Sequence, residues 1–244
     1  METDMLAGVL DQISTRIFAD GADLDGMVAL AGDPRIAGFT TNPTLMWKAG
    51  LTDYAEFARR LLERIDRHPI SFEVFADDAR EMHRQAKLIS SWGENVYVKI
   101  PVTTTCGESM APLVRELSED GVKVNVTALF TSAQVELMTA AVREGAPSYL
   151  SVFAGRIADA GIDPVPIMGR AVSIMAQAPR AELIWASPRE LLNIVQAHEV
   201  GCHVITVTYD LLKKLDSLGK NLEQFSLETV QMFHRDAAMA GFTL

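Results

Sequence analysis

The feature that most constrains this chain is a rhythm. Eight short runs rich in apolar and β-branched residues recur on average about 27 residues apart, with longer helix-like stretches between them. The runs are TRIFAD (15–20), RIAGFT (35–40), ISFEVFA (70–76), VYVKIP (96–101), VKVNVTALF (122–130), YLSVFAG (149–155), ELIWAS (182–187) and HVITVT (203–208). Between them, YAEFARRLLERI, DAREMHRQAKLI, SAQVELMTAAV, PIMGRAVSIMAQ and SPRELLNIVQAHEV carry apolar residues at helical spacing. Several open with Asp, Ser or Pro, as helix starts do. Alternation of this kind predicts a parallel sheet joined by right-handed crossovers. Eight repeats in 244 residues predict an α/β fold of the closed (β/α)8 type, the TIM barrel, whose usual length is roughly 200 to 400 residues. An open doubly wound sheet would carry a glycine-rich phosphate loop after its first strand, and FADGADLDG does not fit GxGxxG. No Pro/Gly/Ser-rich linker divides the chain. Residues 1–244 are therefore read as a single barrel domain, with 221–244 as a C-terminal helix and tail.

Charge and cysteine usage narrow the class of function. A net charge of −10 argues against nucleic acid as a partner, which would select a basic stripe, and against an anionic membrane surface. A few arginines focused in one pocket could still hold a phosphorylated substrate. Cys106 and Cys202 are the only cysteines and form no CxxC pair, so neither a disulfide framework nor a structural zinc site is expected. The opening METDMLAGVLDQ is acidic where a signal peptide is basic, and no apolar run approaches a span of about 18 residues. The expectation is a cytoplasmic protein.

In a (β/α)8 barrel, catalytic groups project from the C-terminal ends of several strands. The polar residues at those ends are Asp20, Asn42, Glu73, Lys99, Asn125, Thr127, Ser151 and Ser187. Alternation places Val96, Val98 and Ile100 on one face of the fourth strand and Tyr97 and Lys99 on the other, so Lys99 is expected inside the barrel near its mouth. Asn125 and Thr127 share a face, as do Ser151 and Phe153. Taken singly, each residue has a plainer reading. Lys99 fits a side chain snorkelling to solvent, and Asp20 and Asn42 fit turn or N-cap positions. Together they suggest chemistry. A desolvated lysine has its pKa lowered, and a neutral amine can add to a ketone and form a Schiff base. Carboxylates such as Asp20 and Glu73 could then move the protons. The five histidines show no ligand triad with carboxylates, so neither a metal nor another cofactor is expected. Arg156, after the sixth strand, and Arg189, after the seventh and near a predicted helix start, suit an anion clamp.

FADGAD, GFTTNPTL, FEVFA, VKIPVT, NVTALFTSAQ, SVFAGRI and WASPRE, in this order across most of the chain, resemble the small-subunit branch of the transaldolase family, which includes fructose-6-phosphate aldolase. The resemblance implies that Lys99 is the Schiff-base lysine and Asp20 the acid/base at the cleaved C–C bond. It implies that Asn42 and Asn125 orient a dihydroxyacetone unit, that Glu73 and Thr127 hold a catalytic water, and that Ser151, Arg156, Ser187 and Arg189 lie near the phosphate. The aldolase branch carries tyrosine at the position of Phe153 and glutamine at that of Glu73, so the resemblance favours a transaldolase. Aldolase-type release of free dihydroxyacetone, an unusual sugar such as a sulfonated or long-chain one, and a non-catalytic sugar-phosphate sensor are the alternatives. Pro188 departs from the family's usual ASFR form. The implied partners are sugar phosphates and further copies of the chain in a homo-oligomer.

Overall fold

A computed structural model describes residues 12–243. The eight runs become β1 (Arg16–Asp20), β2 (Ile36–Thr40), β3 (Ile70–Glu73), β4 (Val96–Pro101), β5 (Val124–Leu129), β6 (Ser148–Val152), β7 (Ala181–Trp185) and β8 (Val204–Thr208). They form a closed barrel in chain order, each strand parallel to the next, with β8 returning to β1. Closure leaves no free sheet edge, and every backbone ladder runs to a neighbour. The helices are α1 (Leu24–Leu30), α2 (Pro43–Lys48), α3 (Tyr54–Leu62), α4 (Ala79–Ser90), α5 (Ala111–Glu119), α6 (Ser132–Val142), α7 (Ala154–Asp159), α8 (Pro164–Met175), α9 (Leu192–Glu199), α10 (Tyr209–Leu212) and α11 (Leu222–Ala240).

Local chemistry explains where the helices start. Asp53, Asp78 and Thr131 each accept a backbone N–H of the first turn, and Gln134 completes a capping box with Thr131. The outward residues of β4, Val96, Val98 and Ile100, pack with helix residues such as Val114 and Leu117 in the layer between barrel and helices. The inward residues form a separate plug of Phe18, Tyr149, Ile184 and Val204, with Tyr97 against it. Tyr149 stands edge-on to Phe18 with ring centroids 5.5 Å apart and lies 4.4 Å from Tyr97. Gly38 makes room for this plug, since a Cβ there would sit 2.7 Å from the Phe18 ring.

The plug is the floor of the site. Two residues further on, the inward positions turn polar on most strands, as in Phe18 to Asp20, Tyr97 to Lys99, Tyr149 to Ser151 and Val204 to Thr206, while β7 continues with the apolar Ala186. α11 stands apart from this architecture: none of its residues is buried, and Leu222, Phe225, Val230 and Phe233 are exposed. Among the described residues, no helix is long and apolar enough to cross a membrane.

Candidate active site

Strand register turns separate sequence positions into one ring. Glu73 is the lateral partner of Lys99, and Lys99 that of Asn125, across β3, β4 and β5. Asp20 pairs with Thr40 on β2 and with Thr208 on β8. All the strand-end residues singled out in the sequence, from Asp20 to Ser187, line a cleft of about 640 Å³, together with Phe153, Arg156 and Arg189.

Lys99 is only 7% exposed, so its amine does not snorkel to bulk water. Its Nζ donates to the Thr41 carbonyl at 2.8 Å and lies 3.1 Å from Glu73 Oε2. The Thr41 contact has a structural cause. β2 and β3 pair only at Phe39↔Ile70 and Thr40↔Ser71, and the Thr41 N–H then donates to the Ser71 carbonyl. A regular parallel ladder would next send the Glu73 N–H to the Thr41 carbonyl. Instead that carbonyl faces the amine, and the Tyr54 hydroxyl, from α3, accepts the Glu73 N–H at 2.7 Å and donates to the Glu73 carbonyl at 3.1 Å. Burial pushes the Tyr54 phenol pKa well up, keeping it a protonated donor.

Asp20 lies half-buried in the same cleft. Thr40 Oγ1 donates to its Oδ1 at 2.8 Å, and Asn42 Nδ2 approaches Oδ2 at 3.5 Å. Desolvation raises its pKa against the opposing pull of Lys99 and these donors. Asn42 is the N-cap of its plainer reading: its Oδ1 caps α2 by accepting the Leu45 N–H at 2.9 Å, while its amide turns to Asp20. Asn125 is held from two sides. Its Nδ2 donates to Ser71 Oγ at 2.9 Å, and its Oδ1 accepts from Ser151 Oγ at 2.7 Å. Thr127 Oγ1 is buried with no hydrogen-bond partner among the described residues. A register shift between Val126 and Leu129 puts Ala128 at φ 61°, a bulge that bends β5 at the cleft wall.

The far wall differs in detail from the sequence expectation. Phe153 is not on β6 but caps α7, with its ring 5.5 Å from the Arg156 guanidinium carbon. Arg189 was expected near the first turn of a helix, but α9 begins only at Leu192. Ser187 adopts a left-handed φ of 60° and Pro188 follows, so the chain cannot enter a helix there. The Asn193 side chain instead accepts the Arg189 N–H at 2.7 Å, fixing the loop backbone. The Arg189 guanidinium is bound in a two-pronged pair to Asp159 of α7.

Several cleft residues were not singled out from the sequence: Thr40, Lys48 and Thr206 line it, and Thr41, Ser71 and Tyr54 support it. Ser71 could have been found, because it lies two residues before Glu73 and shares its face. Tyr54 carries no such signal, being on a helix outside the barrel. Among the described residues, no three His, Cys, Asp or Glu side chains gather to hold a metal ion.

A barrel whose polar layer lies at the C-terminal ends of its strands, above an apolar floor, has the layout of a (β/α)8 enzyme. Residues 17–243 match the transaldolase/fructose-6-phosphate aldolase family, and the chain belongs to it. A "probable transaldolase" of Dehalococcoides mccartyi is 34% identical over 201 residues, covering 82% of this chain and 89% of the relative. One from Clostridium acetobutylicum is 36% identical over the same length, with coverage of 82% and 89%. Among solved structures, dihydrodipicolinate synthase from Rhodopseudomonas palustris superposes with a TM-score of 0.60 at 15% identity, over 93% of this chain and 80% of that one, a likeness of fold alone.

Proposed function

We propose that the protein is a transaldolase that moves a dihydroxyacetone unit from a ketose phosphate to an aldose phosphate through a Schiff base on Lys99. The observation that carries this reading is the buried Lys99 amine, held between Glu73 Oε2 and the Thr41 carbonyl and sharing the cleft with the half-buried Asp20. The unprotonated amine adds to the C2 carbonyl of the ketose, and loss of water from the carbinolamine gives the iminium. Glu73, with Thr127, handles that water and its protons. Asp20 takes the proton of the C4 hydroxyl as the C3–C4 bond breaks, and the bonding pair flows into the iminium to give an enamine. The aldose phosphate leaves. An incoming aldehyde then takes the enamine carbon, the same steps run backwards, and Asp20 returns the proton.

Asn42 and Asn125 orient the dihydroxyacetone hydroxyls, with Ser151 fixing the Asn125 amide. Arg156 and Arg189, beside Ser187, hold the phosphate. Phe153 has no hydroxyl to polarise the water that would reprotonate the enamine, which favours transfer over hydrolytic release. The exposed apolar side chains of α11 support a homo-oligomer.

Borohydride reduction with fructose 6-phosphate, followed by peptide mapping, tests the chemistry: a reduced adduct on Lys99 is expected, and its absence sinks the reading. Glyceraldehyde 3-phosphate release should depend strongly on added erythrose 4-phosphate. Equal rates without it would make the enzyme an aldolase. Repeating both assays with sulfonated and longer-chain ketoses identifies the donor.

A further inference from the structure

α7 is a six-residue helix that carries Arg156 and, three positions on, Asp159, a spacing that puts both side chains on the same side of a helix. Asp159 reaches across to the loop after β7. Arg189 Nε donates to Asp159 Oδ1 at 2.9 Å, and Nη2 donates to Oδ2. This fork occupies one edge of the guanidinium and leaves Nη1 unused by the pair.

The backbones beneath the pair are already locked together. A Cβ on Gly155 would lie 1.5 Å from the Ser187 carbonyl oxygen, so α7 and the β7 loop meet with no side chain between them. Asn193 holds the Arg189 N–H. What the backbone does not fix is the long Arg189 side chain, which is 46% exposed at the rim. An ion pair this exposed adds little to folding stability. Its consequence is directional: it selects one orientation of a flexible cation.

We propose that Asp159 is a positioning residue for the anion end of the cleft, aiming Arg189 so that its free edge and Arg156 converge on the substrate's phosphoryl group. The inference rests on the phosphate assignment made above. Asp159 also sets a negative charge against Arg189 and within coulombic reach of Arg156, offsetting the repulsion between the two guanidinium groups. Arg189, and at longer range Arg156, hold its carboxyl below the ordinary range, so it stays ionised at neutral pH.

Asp159→Ala and Asp159→Asn test this through three readouts. KM for fructose 6-phosphate and Kd for inorganic phosphate, measured by calorimetry, should each rise about tenfold, while kcat changes by less than about threefold. Tm should shift by no more than about 2 °C, since a structural role alone would move Tm and not the KM-against-kcat split. Asp159→Glu should recover part of the lost affinity. Unchanged KM and Kd overturn the proposal. Tighter phosphate binding by the Ala variant also overturns it, because the carboxylate would then be a competitor for Arg189. If the wild-type protein forms no Lys99 adduct, the transaldolase reading fails on its own, and the inorganic phosphate titration still decides the role of Asp159.

Discussion

Glu73 and Lys99 are lateral neighbours on β3 and β4, and their side chains meet with Oε2 3.1 Å from Nζ. The Thr41 carbonyl contacts the same amine from β2. Glu73→Gln keeps the shape and a hydrogen-bonding oxygen but removes the proton acceptor. It is expected to slow single-turnover imine formation about a hundredfold or more, with inorganic phosphate binding unchanged. Rapid-quench borohydride trapping measures that rate, and an unaltered rate would remove Glu73 from the proton path.

Asp20 predicts a trade between stability and activity. Burial raises its pKa in the folded protein above the unfolded value, so the native state holds a proton over a window in which the unfolded chain has lost it. Stability therefore falls as pH rises from the ordinary carboxylate range to the raised folded value, and the deficit is constant above it. Asp20→Asn should gain nothing in Tm at acid pH and a growing increment through that window, while losing activity. Thermal melts of both proteins between acid and neutral pH are the check. The acid limb of the wild-type kcat profile should likewise lie above the ordinary carboxylate range.

Tyr54→Phe removes a hydroxyl that never touches the cleft. The Glu73 N–H loses its acceptor where the β2–β3 ladder ends, a change expected to cost about 1–3 kcal/mol in denaturant unfolding. The ring itself should stay in place against Phe75 and Trp92, at centroid distances of 4.5 and 5.8 Å. A lower kcat with unchanged KM is expected, because Glu73 is displaced while the anion end is untouched.

Phe153→Tyr supplies a hydroxyl on the cleft wall where the wild type has only a phenyl ring. Glyceraldehyde 3-phosphate release in the absence of an acceptor should rise relative to transfer, by about tenfold if the new group polarises the water that protonates the enamine. An unchanged ratio would show that Phe153 does not set the balance between transfer and release.

How much of this was legible follows from the range of each interaction. The barrel and the faces carrying Lys99, Asn125 and Thr127 were readable because strand alternation is a local, period-two signal, and Asp20 and Glu73 because they are polar residues at strand ends. The plug of Phe18, Tyr97 and Tyr149 obeys the same rule one layer down. Arg189 was placed in the correct loop but on a helix that begins later than expected, because the left-handed Ser187 leaves no periodic trace. Its pairing with Asp159 could not be read at all, since 30 residues separate the two and nothing local marks Asp159.

The sequence by itself determined the barrel, the strand that carries Lys99 and the face on which its amine lies. It did so through patterns that need only a few adjacent residues. Only the tertiary structure decided what the amine touches. Lys99 meets the carbonyl of Thr41, 58 residues away, because β2 and β3 part company one step before the ladder would have used that oxygen. Register, and the point at which pairing stops, are properties of two strands at once. No single stretch of sequence contains them.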